Sequence, residues 1–145
     1  MIKANVTFDP KGIEQIVQAA QVASETIIVT RLADIGAQSV DIARKLPDQG
    51  GTYHNRSGRL KRSIGYMVTA NGNPVAEDFL SDEGRRCALK VANGLRQDGY
   101  NLIIVAGAEY AMDVHVRGYD VLDSALINAD RQFKEFCDNI ANGNQ

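Results

Sequence analysis

Ile2, Ala4, Val6 and Phe8 alternate with Lys3, Asn5 and Thr7, a period of two that predicts a half-buried strand. Asp9 then offers a carboxylate N-cap, Pro10 fits the first helical position, and Phe8 can staple onto Ile13. Ile13, Ile16, Val17, Ala20, Ala23, Ile27, Leu32, Ile35, Ile42 and Leu46 follow helical spacing until Pro47 stops it. An unbroken helix over residues 10–46 would span about 55 Å. The β-branched cluster Thr26-Ile27-Ile28-Val29-Thr30 strains that pattern, because such side chains lose rotamer freedom in a helix. No Gly, Pro or Asn-Gly accompanies the cluster, so continuous helix is preferred, with a kink or break there as the alternative.

Beyond the loop at residues 47–57, Ser57 can cap a short turn through Gly58-Arg59-Leu60-Lys61, after which Ile64, Tyr66 and Val68 alternate as a strand. Asn71-Gly72-Asn73-Pro74 ends it, and residues 75–79 return as a brief edge strand. Ser81 caps a helix with Cys87, Ala88, Val91 and Leu95 on its apolar side, closed by Asp98-Gly99. Residues 102–106 form a buried β-rich run. Tyr110, Met112, Val114 and Val116 alternate beyond Gly107, which predicts a second hairpin. Asp120 and Asp123 open a last helix that turns Leu122, Leu126, Ala129, Phe133, Phe136 and Ile140 inward. The expected fold is α+β: a long N-terminal helix and two further helices packed on a small, mostly antiparallel sheet. Residues 1–140 read as a single domain and 141–145 as a frayed tail.

The balance of charge narrows the function classes. Sixteen Lys and Arg against eighteen Asp and Glu give a formal net charge of -2, so no chain-wide basic field draws nucleic acid or anionic lipid. No apolar run approaches the ~20 residues that a membrane helix requires, and the N-terminus lacks a signal-peptide pattern, so a chain without a membrane partner is expected. Its 145 residues lead to the expectation of one ordinary globular domain rather than a large multidomain enzyme. Cys87 and Cys137 stand fifty positions apart, with no CxxC and no histidine at ligand spacing. They are expected to be reduced core residues, with neither a metal nor another cofactor.

His54 and His115 are the only histidines, and no nucleophile elbow, HExxH or phosphate-binding P-loop accompanies them. Catalysis is not expected, although a small hydrolase using either histidine is one possible alternative. Arg56, Arg59, Lys61 and Arg62 place four cations within seven positions. Such a segment can hold phosphates or form a subunit-facing edge, and Asp130, Glu135 and Asp138 give the last helix the opposite sign. Gly58, Gly107 and Tyr110 read as structural turn residues, the tyrosine packing on the sheet.

Two segments carry a resemblance. Arg56-Ser57-Gly58-Arg59-Leu60-Lys61-Arg62-Ser63-Ile64 resembles the Arg-Thr/Ser-Gly-x-Leu-(basic)-x-Ser-Ile pattern of the head-tail joining (neck, tail-completion) proteins of tailed bacteriophages and prophages. Val105-Ala106-Gly107-Ala108-Glu109-Tyr110-Ala111 with Val114 is similar to their Val-x-Gly-x-x-Tyr-Ala-x-x-Val element. The order and spacing of the two segments, across roughly residues 10–140, give the resemblance its weight. The family often continues with a Glu-x-Gly-Thr run and an Arg-Pro-Phe segment, where this chain has Val116-Arg117-Gly118-Tyr119-Asp120-Val121-Leu122. The resemblance therefore implies a class and leaves the neck position open. It implies a structural virion protein whose copies form a homo-oligomeric ring between the head connector or head-completion protein and the tail tube or tail terminator. DNA would pass through the ring without sequence-specific binding. It further implies assembly in the bacterial host cytoplasm, with no reaction and no cofactor. From the residues alone, a phosphate- or nucleic-acid-binding module built on the segment from Arg56 to Arg62 remains the alternative.

Overall fold

The computed structural model describes residues 2–7, 24–46, 58–118 and 120–143. Four strands, β1 (Ile2–Thr7), β2 (Ile64–Ala70), β3 (Asn73–Phe79) and β4 (Tyr100–Ala106), form one sheet in the order β1-β4-β2-β3. Every pairing is antiparallel, and β4, buried throughout, lies between β1 and β2. The helices are α1 (Ser24–Lys45), α2 (Arg59–Arg62), α3 (Asp82–Asn93), α4 (Ala111–Val116) and α5 (Asp123–Ala141). The α+β class is observed, and the β-branched cluster at residues 26–30 lies inside α1 without a break. The expected helical segment at residues 10–23, with its Asp9 cap, lies outside the described residues, as do Pro47 and Ser57.

Alternation along the two central strands separates the core into two layers. Ile64, Tyr66, Val68, Leu102, Ile104 and Ala106 face α1 and α5, together with Ile28, Leu32, Ile35, Ala125 and Ala129. Met67, Ile103 and Val105 face α3 through Cys87, Ala88 and Ala92. The helices therefore cover both faces of the sheet, and the central strands read as continuous apolar runs because neither face meets water. Asn71 and Gly72 both adopt positive φ, 51° and 85°, the geometry of a tight two-residue hairpin turn. Asn73 and Pro74 consequently belong to β3, at the sheet edge where the missing proline N–H costs least.

Three expectations need correction. Residues 110–116 form no strand: Tyr110 leads into α4, whose first turn closes through the Val114 amide on the Tyr110 carbonyl at 3.2 Å. Both edges of β4 are already occupied by β1 and β2, so a chain returning from Gly107 has no free ladder to join. His115 accordingly lies on a short helix. Of the residues expected to face inward from the last helix, Leu122, just ahead of α5, and Ala129 are buried, but Leu126, Phe133 and Phe136 are only partly covered and Ile140 is half-buried. Ala125, Asn128 and Gln132 are buried instead. Polar contacts with α1 rotate the helix this way: Asn128 Nδ2 donates to Ser39 Oγ at 3.1 Å, and Gln132 Nε2 to Gln38 Oε1 at 2.6 Å. Cys87 is a buried free thiol as expected, whereas Cys137, also free, is half-buried, and partial burial pushes its thiol up from the ordinary cysteine range.

Candidate functional site

The β2–β4 register pairs Ile64 with Ala106, which sets the end of the first motif beside the second. The Gly107 amide then donates to the Ser63 carbonyl at 3.0 Å. α3 closes over this point. A Cβ on Gly107 would stand 2.7 Å from the Glu83 carbonyl oxygen and 2.9 Å from Gly84 Cα, and one on Gly84 would stand 2.6 Å from the Ser63 carbonyl oxygen. Three backbones meet at distances that exclude side chains, which is why two of the three residues are glycine.

Arg59 extends the junction to the surface. Its Nε and a terminal nitrogen donate to the two Glu83 carboxylate oxygens at 3.1 and 2.6 Å, a forked pairing, while the guanidinium lies 5.7 Å from the centre of the Tyr110 ring. The hydrogen bond and charge of Glu83 raise the Arg59 pKa, with smaller support from Glu109 and Tyr110 against desolvation, so the guanidinium stays charged. Leu60, buried, anchors the short helix α2 beneath this pair, and the Ser63 hydroxyl donates to the Leu60 carbonyl at 2.7 Å. Gly58 holds φ at 72°, so its role as a turn residue is a requirement of the backbone. Lys61 is half-buried and Arg62 exposed, while Arg56 and His54 lie outside the described residues.

Ser81 ties the start of α3 to this end of the sheet. Its hydroxyl donates to the Arg62 carbonyl at 3.0 Å and accepts from the Gly84 amide at 3.4 Å, the cap expected from the sequence. Arg44 does the same for α1, donating twice to the Ile64 carbonyl, at 2.8 and 3.2 Å, and once to Asp78 at 3.1 Å. Neither Glu83 nor Arg44 was singled out in the sequence. Their partners are 24 and 20 or more positions away, and no local pattern announces such pairs.

The acidic candidates occupy a different surface. Asp130 accepts from Lys134 one turn along α5 at 2.9 Å, and Glu135 and Asp138 are exposed on the same helix. Arg59 is paired with Glu83 of α3 in the same chain. His115 Nδ1 lies 3.9 Å from the Asp123 carboxylate, beyond hydrogen-bonding reach. Among the described residues, no group of three or more His, Cys, Asp or Glu side chains is placed to hold a metal ion. Among them too, no helix is long and apolar enough to cross a membrane. Comparison with protein-family models, with curated proteins and with solved structures finds no match for this chain.

Proposed function

We propose that this chain is a structural virion protein, a neck or tail-completion component whose copies form a ring joining the head connector to the tail around the DNA channel. The support is the resemblance of two segments to the head-tail joining proteins, and one observation carries it furthest. The segments lie more than forty positions apart, yet they build a single junction through the Ser63–Gly107 hydrogen bond and the Arg59–Tyr110 contact. Two short patterns that converge on one rigid feature constitute one structural element, which strengthens the likeness beyond either pattern alone. The role is architectural: backbone contacts hold the sheet end, and charged side chains surround it. We place the working protein in the virion neck after assembly in the host cytoplasm, with Lys61, Arg62, Glu135 and Asp138 as contact candidates alongside Arg56, Arg59 and Asp130.

The alternative, a phosphate- or nucleic-acid-binding module, gains less support. A phosphate approaching Arg59 has to displace Glu83 from the fork that would bind it. Antibody labelling of purified phage particles, viewed by electron microscopy, tests the proposal. Label confined to the junction of head and tail supports it. Label absent from particles, together with salt-sensitive DNA binding by the isolated chain, favours the alternative.

A further inference from the structure

Two of the exposed helix faces, on α3 and α5, lie on different sides of the sheet and differ in the sign of their charge. α3 lies on one face of the sheet through Cys87, Ala88 and Ala92, while on the other side α5 packs chiefly on α1 and meets the sheet at β1. On α3 the acids Asp82 and Glu83 occupy the first turn, and Glu83 is paired with Arg59. The rest of that helix carries Arg85, Arg86 and Lys90, all exposed, with Arg85 turned to Glu77 at 3.0 Å. Arg86, Lys90 and Asn93 fall on one stripe, with about 6 Å of helix axis between the two cations. On α5, Asp123, Asp130, Glu135 and Asp138 stand against Arg131 and Lys134, and all six are exposed. Ile127 sits among them with 71% of its surface in water, one of several exposed large apolar side chains among the described residues.

We infer that these faces are the two halves of one head-to-tail contact between copies of this chain, the basic stripe of α3 in one copy seating on the acidic, Ile127-bearing face of α5 in the next; the inference rests on the ring proposed above. A closed ring requires each subunit to offer two different, complementary surfaces on opposite flanks. Helices on opposite sides of one sheet provide that arrangement, and the basic stripe and the net acidic face are of opposite sign. Ile127 supplies the apolar anchor that a purely charged contact lacks, and the surrounding charges set register and association rate. The motif junction then has a defined part. Through Glu83, Gly84 and Ser81 it fixes the start of α3, and so the attitude of the basic stripe against the sheet.

The test combines zero-length cross-linking with charge exchange in the full chain. In phage particles, carbodiimide treatment is expected to couple the Lys90 amine to Asp130, Glu135 or Asp138, and mixed isotope-labelled and unlabelled chains show that the bond joins two copies. Arg86→Glu with Lys90→Glu should lower the yield of joined particles by about tenfold or more, as should Asp130→Lys with Asp138→Lys, because each sets like charges face to face. All four substitutions together restore joining if the two faces meet. Circular dichroism establishes that each variant is folded. A quadruple variant as defective as either pair, or Lys90 coupled only to other residues while the chain remains in the neck, overturns this contact and leaves the ring proposal standing. Absence of the chain from particles overturns both. Normal joining by the α3 variant with loss of DNA retention assigns the basic stripe to nucleic acid and also overturns the contact.

Discussion

The Gly107 amide nitrogen lies 3.0 Å from the Ser63 carbonyl oxygen, to which it donates just beyond the last β2–β4 pair and beside the start of α3. The bond runs between two residues at strand ends, while the Glu83 and Gly84 backbone presses on the same point. Continuity across this junction is what makes two distant segments one element.

Gly107→Ala is therefore expected to destabilise the fold by about 1–3 kcal/mol, because backbone atoms 2.7 and 2.9 Å away cannot swing aside as a side chain would. Gly94→Ala is the matched control, its nearest such neighbour being 3.6 Å away, and should stay within about 0.5 kcal/mol of wild type. Urea unfolding followed by circular dichroism measures both; equal effects would show that the junction is not close-packed.

At Gly58 the cost is conformational. The nearest atom to an added Cβ is the far end of the long Arg62 side chain, at 2.9 Å, whereas φ at 72° disfavours side chains outright. Gly58→Val should lose soluble folded protein and Gly58→Asn should retain most of it, since asparagine tolerates the left-handed region. Equal solubility of the two variants would contradict a backbone origin.

Phe133 and Phe136 are partly covered, so Phe133→Ala and Phe136→Ala should each cost about 1–2 kcal/mol, below the ~3–5 kcal/mol of a fully buried aromatic. Asn128→Ala, which removes the buried bond to Ser39 and the 2.9 Å bond from Arg131, should cost about 1–3 kcal/mol. Thermal melts rank them. A phenylalanine variant in the full-burial range would return that side chain to the core.

Burial raises the Tyr66 and Tyr100 phenols above the ordinary value of 10.0, helped at Tyr66 by Asp78 and Asp34 against Arg44, and at Tyr100 by Glu25. The folded chain thus keeps these protons where the unfolded chain loses them. The stability linked to them is complete below pH 10.0 and declines as pH rises from there through the folded values. Tyr66→Phe and Tyr100→Phe should each flatten the alkaline fall in unfolding free energy. A slope unchanged in both variants would place the phenols in water.

Much of the fold was legible because its signals are local. Asn71-Gly72 marks the hairpin, Ser81 caps α3, and the apolar run at residues 102–106 announces a strand buried on both faces. The strand expected at residues 110–116 failed for a non-local reason: alternation there is real, but pairing depends on whether β4 has an open edge. The rotation of α5 follows from Ser39 and Gln38, 89 and 94 positions from their partners. At the candidate site, Gly58, Gly107, Tyr110 and the cations were visible as residue types. That Arg59 meets Glu83, and that α3 provides a third backbone at the junction, depends on the fold as a whole.

The most direct measurement is electron microscopy of phage lysates in which the gene for this chain has been deleted and then supplied in trans. A ring component at the head-tail interface predicts DNA-filled heads and complete tails lying separate after deletion, and joined particles after complementation. Joined particles with an unaltered neck in the deletion would contradict it.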